Sequence, residues 1–364
     1  MQRISSLTSL RFFAAISVLL FHFPIHFPGH LGKAYGLLSA HGYTGVTFFF
    51  ILSGFLLSTI YSEKSLNSKL SLVTFFGKRL IRIVPTYWLA LLLTSFFLDG
   101  TLRVAKSQGH LFERLGDVGL HISLLQAWIP MSPFRLHWNE PTWSVSVEVF
   151  YYLLFPVILI LIRKTKSSIS RICIWFVITS TVHGLIYLIR GGNWNQTPTG
   201  TFRDILSLPF SSLTVFLFGM LGGLLVKELT KLRIDPILWK IVFWFGCTLV
   251  VSFAIIDQET NPFAQVILCT GMTLVVSSAS QITGCIQQFL SLPLLLILGE
   301  ASYALYLIQR PTDEWLKFIW KHPPSTNIYH VAVIIVSVIA SVAIWHWFEK
   351  PVGRWLTRKY IKNP

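Results

Sequence analysis

The stretch SLRFFAAISVLLFHFPI, from Ser9 to Ile25, decides the fold class. It approaches the length of about 20 residues that a membrane-spanning helix requires, and Arg11 and His22 are its only ionisable side chains. Apolar runs of similar length recur along the chain, for example at 144–162 and 331–348. These runs predict a protein that crosses a lipid bilayer many times.

Composition supports the same class of protein. Hydrophobic residues make up 53% of the 364 residues, and Asp, Glu, Lys and Arg together make up 12%. A soluble globular domain carries about 25% charged residues, so the composition argues against water-soluble folding. The sequence therefore predicts an all-α, polytopic transmembrane helical bundle that forms a single integral-membrane domain over 1–364.

Apolar runs, read against Pro, Gly and charged residues, predict about ten spans. Most of the Lys and Arg residues fall in the connections on one side, so the positive-inside rule places both termini in the cytoplasm. The first run is longer than the apolar region of a signal peptide and is predicted to stay as a helix. The predicted spans are 8–25, 42–61, 81–98, 144–162, 171–189, 205–226, 238–256, 263–280, 294–310 and 329–348.

Net charge and cysteine use exclude several functions. Thirty basic residues face 15 acidic ones, but they lie in short connections between apolar runs. Membrane lipid, rather than nucleic acid, is the partner that this distribution indicates. The four cysteines form no Cys-x-x-Cys pair, and Pro24 interrupts the i,i+4 spacing of His22 and His26, so we expect neither a disulfide framework nor a metal site.

Two ionisable side chains lie at similar predicted depth near the outer surface. His22 is close to the outer end of the first span, and Glu148 follows the outer start of the fourth. A carboxylate beside an imidazole would fix its tautomer and raise its basicity, which favours proton transfer. A structural histidine and a carboxylate at a helix N-terminus are the alternatives, and both stay open.

Basic and small residues mark two further segments. Arg79 and Arg82 are three residues apart, so on a helix they share a face and could clamp phosphate groups or serve as a positive-inside anchor. The small residues Gly45, Ser53 and Gly54 allow close backbone approach, which favours helix packing over a ligand slot. The long connection 99–141 is a candidate for contact with an external substrate or for an interfacial lid, with its segment 120–128 at the interface.

Five segments in order resemble the bacterial membrane acyltransferase family 3, over essentially the whole chain. They are Leu-Arg-x-x-Ala at 10–14 with His22, Gly-Val-x-x-Phe-Phe-x-Leu-Ser-Gly-Phe at 45–55, Arg-x-x-Arg-Ile-x-Pro at 79–85, Trp-Ser-x-x-x-Glu at 143–148, and Leu-Gly-Glu-Ala-Ser-Tyr-Ala-Leu-Tyr-Leu-Ile at 298–308. Each segment alone is weakly specific. Together they make the resemblance specific.

The resemblance implies an O-acetyltransferase-like enzyme of the bacterial inner membrane. It would transfer an acyl group, typically acetyl, from cytoplasmic acyl-CoA to a hydroxyl of an extracytoplasmic or lipid-linked glycan. A surface polysaccharide such as the O-antigen of lipopolysaccharide is the first expectation. By the resemblance, His22 is the catalytic histidine, and Arg11, Arg79 and Arg82 are essential arginines.

One position departs from the family pattern, and one alternative function remains. Many members have histidine after Tyr-Leu-Ile, whereas this chain has Gln309, so His22 is the better-supported proton carrier. Members with an extra esterase-like domain are longer, and we expect none here. A transporter or flippase of lipid-linked saccharides is the alternative, since it would also have about ten spans.

These residues suggest a working mechanism. Arg79 and Arg82, assisted by Arg11, would hold phosphates of acyl-CoA, whose pantetheine arm would run near Ser53 and Gly54. The thioester would then reach His22, oriented by Glu148. His22 would act as general base on the acceptor hydroxyl or would first take the acyl group itself.

Overall fold

The computed structural model describes residues 4–63, 66, 68–98, 106–107, 110–128, 138–164, 168–190, 209–256, 261–321 and 325–361. These residues form helices and connecting turns, with no strand among them. The prediction of an all-α polytopic bundle is confirmed. The helices are α1 (Ser5–His22), α2 (Gly29–Ala40), α3 (Thr44–Tyr61), α4 (Lys69–Ser95), α5 (Leu111–Ile122), α6 (Trp143–Lys164), α7 (Ile169–Arg190), α8 (Leu213–Thr230), α9 (Pro236–Ile256), α10 (Pro262–Ala279), α11 (Cys285–Leu290), α12 (Pro293–Glu300), α13 (Ser302–Ile319), α14 (Thr326–Ile344) and α15 (Lys350–Tyr360).

Eight of the described helices are long and apolar enough to cross a membrane. They are α1, α3, α6, α7, α8, α9, α10 and α14. Helices α8 and α10 lie inside the bundle, where 61% and 67% of their most apolar 18-residue segments are buried. Only 22% of the corresponding segment of α7 is buried. Exposed apolar side chains on α7, such as Val177 and Leu188, therefore face outward, where lipid replaces water as the solvent.

Two of the ten predicted spans correspond to helices that fall outside this group. The predicted span 81–98 lies in α4, which begins twelve residues earlier because Ser68 caps its N-terminus by accepting a hydrogen bond from the Ser71 N–H (3.1 Å). Its first half contains Lys78, Arg79 and Arg82 and is therefore too polar. The predicted span 294–310 is divided at Ala301 into α12 and α13.

The small residues of α3 and α8 bring these two helices into close contact. A methyl group on Gly54 would overlap the carbonyl of Phe216, and one on Gly219 would overlap the carbonyl of Ile51. Ile51 and Phe216 are both fully buried. Only glycine allows the two backbones to approach this closely, as in other membrane helix pairs.

The segment at 120–128, predicted to be interfacial, forms the end of α5 and a short 3-10 turn at Gln126–Trp128. Tyr87 of α4 holds it against the bundle by donating a hydrogen bond to the carbonyl of His121 (2.6 Å). Arg103 and Arg135 of the same long connection lie outside the described residues.

The chain between α14 and α15 forms a π-helical turn at Trp345–Glu349. Such a turn contains one residue more than a regular turn and rotates the side chains that follow it. It places Glu349 toward Thr86 of α4, whose hydroxyl donates a hydrogen bond to the carboxylate (3.3 Å). Basic and aromatic side chains, among them Arg354 and Trp355, then line α15.

Replacing Gly219 with alanine should destabilise the bundle, because the new methyl group forces α3 and α8 apart. Overpacking of this kind costs about 1–3 kcal/mol. We expect a lower unfolding midpoint in detergent, measured by thermal denaturation of the purified protein. Gly36→Ala on α2 is the control, since no atom lies within 4 Å of a methyl group there. Equal midpoints for the two variants would contradict the packing argument.

Candidate active site

Two cavities lie among the described helices. The first, called the arginine cavity, is lined by Arg11, Ser53, Arg79, Arg82 and Glu148, together with aromatic side chains. The second, called the histidine cavity, has a volume of about 340 Å³. Its lining consists of His22, Phe23, Glu140, Pro141, Gln309, Arg310, Asp313, Lys317, Tyr329 and His330.

Arg79 is held in the arginine cavity by aromatic rings. Its guanidinium carbon lies 5.9 Å from the ring centroids of Tyr61 and Phe75 and 5.8 Å from that of Tyr152. Its Nε atom is buried and has no hydrogen-bond partner among the described residues. Cation–π contacts thus fix the charge while leaving an N–H group free to donate to an anion.

Among the described residues, one carboxylate, that of Glu148, lines the arginine cavity. Glu148 accepts hydrogen bonds from the Ser53 hydroxyl (3.2 Å) and the Tyr152 hydroxyl (2.5 Å). Arg11, on α1, interacts electrostatically with Glu148, Glu300 and Glu349. The charge of Arg11 is therefore balanced by carboxylates from three other parts of the chain, as a charged group inside a membrane requires.

His22 is the last residue of α1 and lies in the histidine cavity. It interacts electrostatically with Glu140 and Arg310. Glu148, five residues after the start of α6, lines the arginine cavity and not the histidine cavity. Glu140, which precedes α6 and which sequence reasoning did not single out, lines the histidine cavity together with His22.

A hydrogen-bonded group is in contact with both cavities. The Tyr306 hydroxyl donates to the carbonyl of Pro141 (2.8 Å) and is 2.8 Å from the Ser144 hydroxyl. Tyr306 and Ser144 line the arginine cavity, whereas Pro141 lines the histidine cavity. Tyr306, Ser144 and Pro141 therefore form a hydrogen-bonded layer in contact with both the arginine cavity and the histidine cavity.

The predicted site residues divide between three places. Arg11, Ser53, Arg79, Arg82 and Glu148 come together in the arginine cavity, and His22 lies in the histidine cavity. Gly54 lines neither cavity, because it packs against the backbone of α8. The sequence favoured packing for the glycine segment, and at Gly54 the structure shows packing.

Sequence reasoning missed several residues that line or adjoin the cavities. Glu349 follows an apolar run and looked like the end of a span, and His330 lay inside the last predicted span. An ionisable residue in or beside an apolar run is the signal that could have identified both. The described residues contain no cluster of three or more His, Cys, Asp or Glu side chains that could hold a metal ion.

The helical membrane bundle, with its two polar cavities and its paired arginines, has the features of a multi-pass membrane enzyme. A family model described as an acyltransferase domain matches residues 4–346, nearly the whole chain. The protein therefore belongs to this acyltransferase family.

Curated relatives include longer proteins. O-acetyltransferase OatA of Staphylococcus aureus (strain NCTC 8325 / PS 47) is 24% identical over 363 residues, which cover 96% of this chain and 57% of that protein. Acyltransferase MdmB of Streptomyces mycarofaciens is 30% identical over 165 residues, which cover 44% of this chain and 41% of MdmB. The chain spans about half the length of the curated relatives it matches. No solved structure is significantly similar to it.

Glu349→Gln should destabilise the protein, because it removes a negative charge that interacts with Arg82 and Arg11. Leaving buried polar groups with poorer partners costs about 1–3 kcal/mol. Thermal denaturation in detergent measures the change.

Glu63→Gln is the matched control. Glu63 is 82% exposed and pairs with Lys227 (2.6 Å), whose hydrogen bond and charge lower the pKa of this carboxyl. Because water solvates the Glu63 carboxylate, loss of this exposed pair should leave the midpoint unchanged. If the two variants unfold at the same temperature, Glu349 is not a counter-ion for the arginines.

Proposed function

We propose that this protein transfers an acyl group, expected to be acetyl, from a cytoplasmic acyl-CoA to a hydroxyl of an extracytoplasmic or lipid-linked glycan. A surface polysaccharide such as O-antigen is the first acceptor to test. The observation that carries the proposal is the arrangement of two unlike cavities in contact with one hydrogen-bonded layer.

The arginine cavity fits the donor. Phosphate oxygens would accept hydrogen bonds from Arg79 and Arg82, which α4 presents on one face, one turn apart. The unpartnered Nε–H of Arg79 would complete such an interaction. Ser53, which lines the same cavity, lies beside the route that the pantetheine arm would take toward Tyr306.

The histidine cavity fits a polyhydroxyl acceptor. Gln309 and Glu140 provide hydrogen-bond acceptors, and Arg310 and Lys317 provide donors. Arg310 is paired with Glu314 (2.7 Å) and Lys317 with Asp313 (2.8 Å), so these cations are already balanced. A neutral sugar, which needs both donors and acceptors, suits such a lining better than a strongly charged group.

His22 would work where the acyl group meets the acceptor. The acceptor oxygen forms a bond to the acyl carbon, and the hydroxyl has to lose its proton. Two routes are chemically open to His22: it can take this proton as a general base, or it can first accept the acyl group on a ring nitrogen. Glu140 would stabilise positive charge on the imidazole in either route.

The charge distribution supports an orientation with both termini in the cytoplasm of a bacterial inner membrane. The arginine cavity would then open toward the cytoplasm, where acyl-CoA is present, and the histidine cavity toward the outside. Residues 1–364 would form a single membrane domain.

His22→Ala should abolish transfer, and Arg79→Ala with Arg82→Ala should weaken donor binding at least tenfold because two phosphate ligands are lost. Inverted membrane vesicles from a deletion strain that expresses each variant would receive [14C]acetyl-CoA. Alkali-labile label in the glycan fraction measures transfer, and its dependence on donor concentration gives KM. An active, normally expressed His22→Ala protein would contradict the role of this residue. An unchanged KM would remove the arginines from the donor site.

Cysteine labelling tests the orientation. In a background without native cysteines, Ile319→Cys at the end of α13 should react with an impermeant maleimide in intact cells. Leu232→Cys, between α8 and α9, should react only after permeabilisation. Both positions are exposed in the structure, at 72% and 62%, so reagent access depends on the side of the membrane. The reverse pattern would invert the orientation.

A further inference from the structure

The histidine cavity contains a second imidazole. His330, in the first turns of α14, lines the cavity together with His22. Its Nδ1 atom lies 2.6 Å from the carbonyl oxygen of Pro24, two residues after His22. Its ring also contacts the ring of Phe23 edge to face, with 5.8 Å between centroids. The segment after α1 therefore holds His330 in one orientation.

This hydrogen bond fixes the tautomer of His330. A carbonyl oxygen can only accept, so Nδ1 must carry a hydrogen and donate it. In the neutral ring, Nε2 then bears the lone pair and can accept a proton. The carbonyl of Pro24 would also stabilise the imidazolium that forms when Nε2 is protonated. No described hydrogen bond fixes the tautomer of His22 in this way.

Gln309 strengthens the case for a second basic group. Its side chain is 2% exposed and lines the cavity, its amide donates to the carbonyl of Tyr306 (2.9 Å), and its Oε1 atom is buried without a described partner. An amide oxygen can accept a hydrogen bond from a substrate hydroxyl but cannot take its proton. When His22 carries the acyl group, a base for that hydroxyl has to come from another residue of this cavity.

The carboxylates of the cavity are less suited to be that base. Asp313 accepts hydrogen bonds from the hydroxyl of Tyr329 (2.7 Å) and the ammonium of Lys317 (2.8 Å). Glu140 faces the charges of His22 and Arg310. Each is engaged with a donor or a cation, whereas Nε2 of His330 has no partner among the described residues.

We propose that His330 is a catalytic base that accepts the proton of the acceptor hydroxyl. The inference rests on the proposed acyl transfer and assigns the second route to His22. His22 first takes the acyl group from the donor, as a C–N bond forms, the C–S bond breaks and CoA leaves as thiolate. The acceptor oxygen then bonds to the acyl carbon, the C–N bond breaks, and the hydroxyl proton moves to Nε2 of His330 and on to water.

His330→Asn separates catalysis from structure. The amide nitrogen of asparagine can replace Nδ1 and keep the hydrogen bond to Pro24, but nothing replaces the basic Nε2. We expect the rate of [14C]acetyl transfer to glycan in the inverted vesicles to fall at least 100-fold. Label should then remain on the protein, together with release of about one equivalent of CoA thiol.

Two further variants complete the experiment. Asn327 of α14 also holds the segment after α1, because its side chain accepts a hydrogen bond from the His26 N–H (2.9 Å) and donates one to the His26 carbonyl (2.8 Å). Asn327 does not line the histidine cavity. Asn327→Ala removes this tether. It should retain transfer within about threefold of the unmodified protein. Gln309→His in the His330→Asn background returns an imidazole to the cavity. The rate of transfer by this double variant should be at least tenfold higher than that of His330→Asn alone.

The outcomes are distinct. Normal transfer by His330→Asn would overturn the inference while leaving the proposed function intact. Equal losses in His330→Asn and Asn327→Ala, without label on the protein, would show a tether only and would also overturn it. If the unmodified protein transfers no label, the proposed function fails, and the inference fails with it.

Discussion

Guanidinium groups inside a membrane protein have to be neutralised by the protein itself, because lipid offers no water to solvate them. Arg11 is surrounded by charged groups that originate far apart in the sequence, namely Arg82, Glu148, Glu300 and Glu349. They belong to α4, α6, α12 and the π-helical turn, whereas Arg11 belongs to α1. The relative positions of these elements are coupled through one charge cluster, and the aromatic rings around Arg79 extend the coupling to α3.

The sequence predicted the fold class, and it placed the arginines together, because both follow from local information. Apolar runs reveal spans directly, and Arg79 and Arg82 share a helix face by their spacing alone. The boundaries were harder. The N-cap at Ser68 lengthens α4, and the division at Ala301 lies within one continuous apolar run, where neither composition nor periodicity marks it.

Pairs between distant elements could not be predicted in the same way. Predicted depths along separate helices put Glu148 beside His22, but Glu140, eight residues earlier and just before α6, lines the cavity that contains His22. His330 reaches the cavity only because the chain after α1 turns back and packs against α14. Glu349 reaches the arginines because a π-helical turn rotates it there, which no residue pattern indicated.

The layer formed by Tyr306, Ser144 and Pro141 has a consequence for the group that is transferred. In the proposed reaction, an acyl chain has to pass two hydroxyls that are hydrogen-bonded to each other and to a backbone carbonyl. Passage would require the Tyr306 ring to move away from its hydrogen-bond partners, and a longer chain would require a larger movement than a two-carbon chain. The phenol would thus act as a steric filter on chain length, and the volume of residue 306 would determine which acyl donors the enzyme can use.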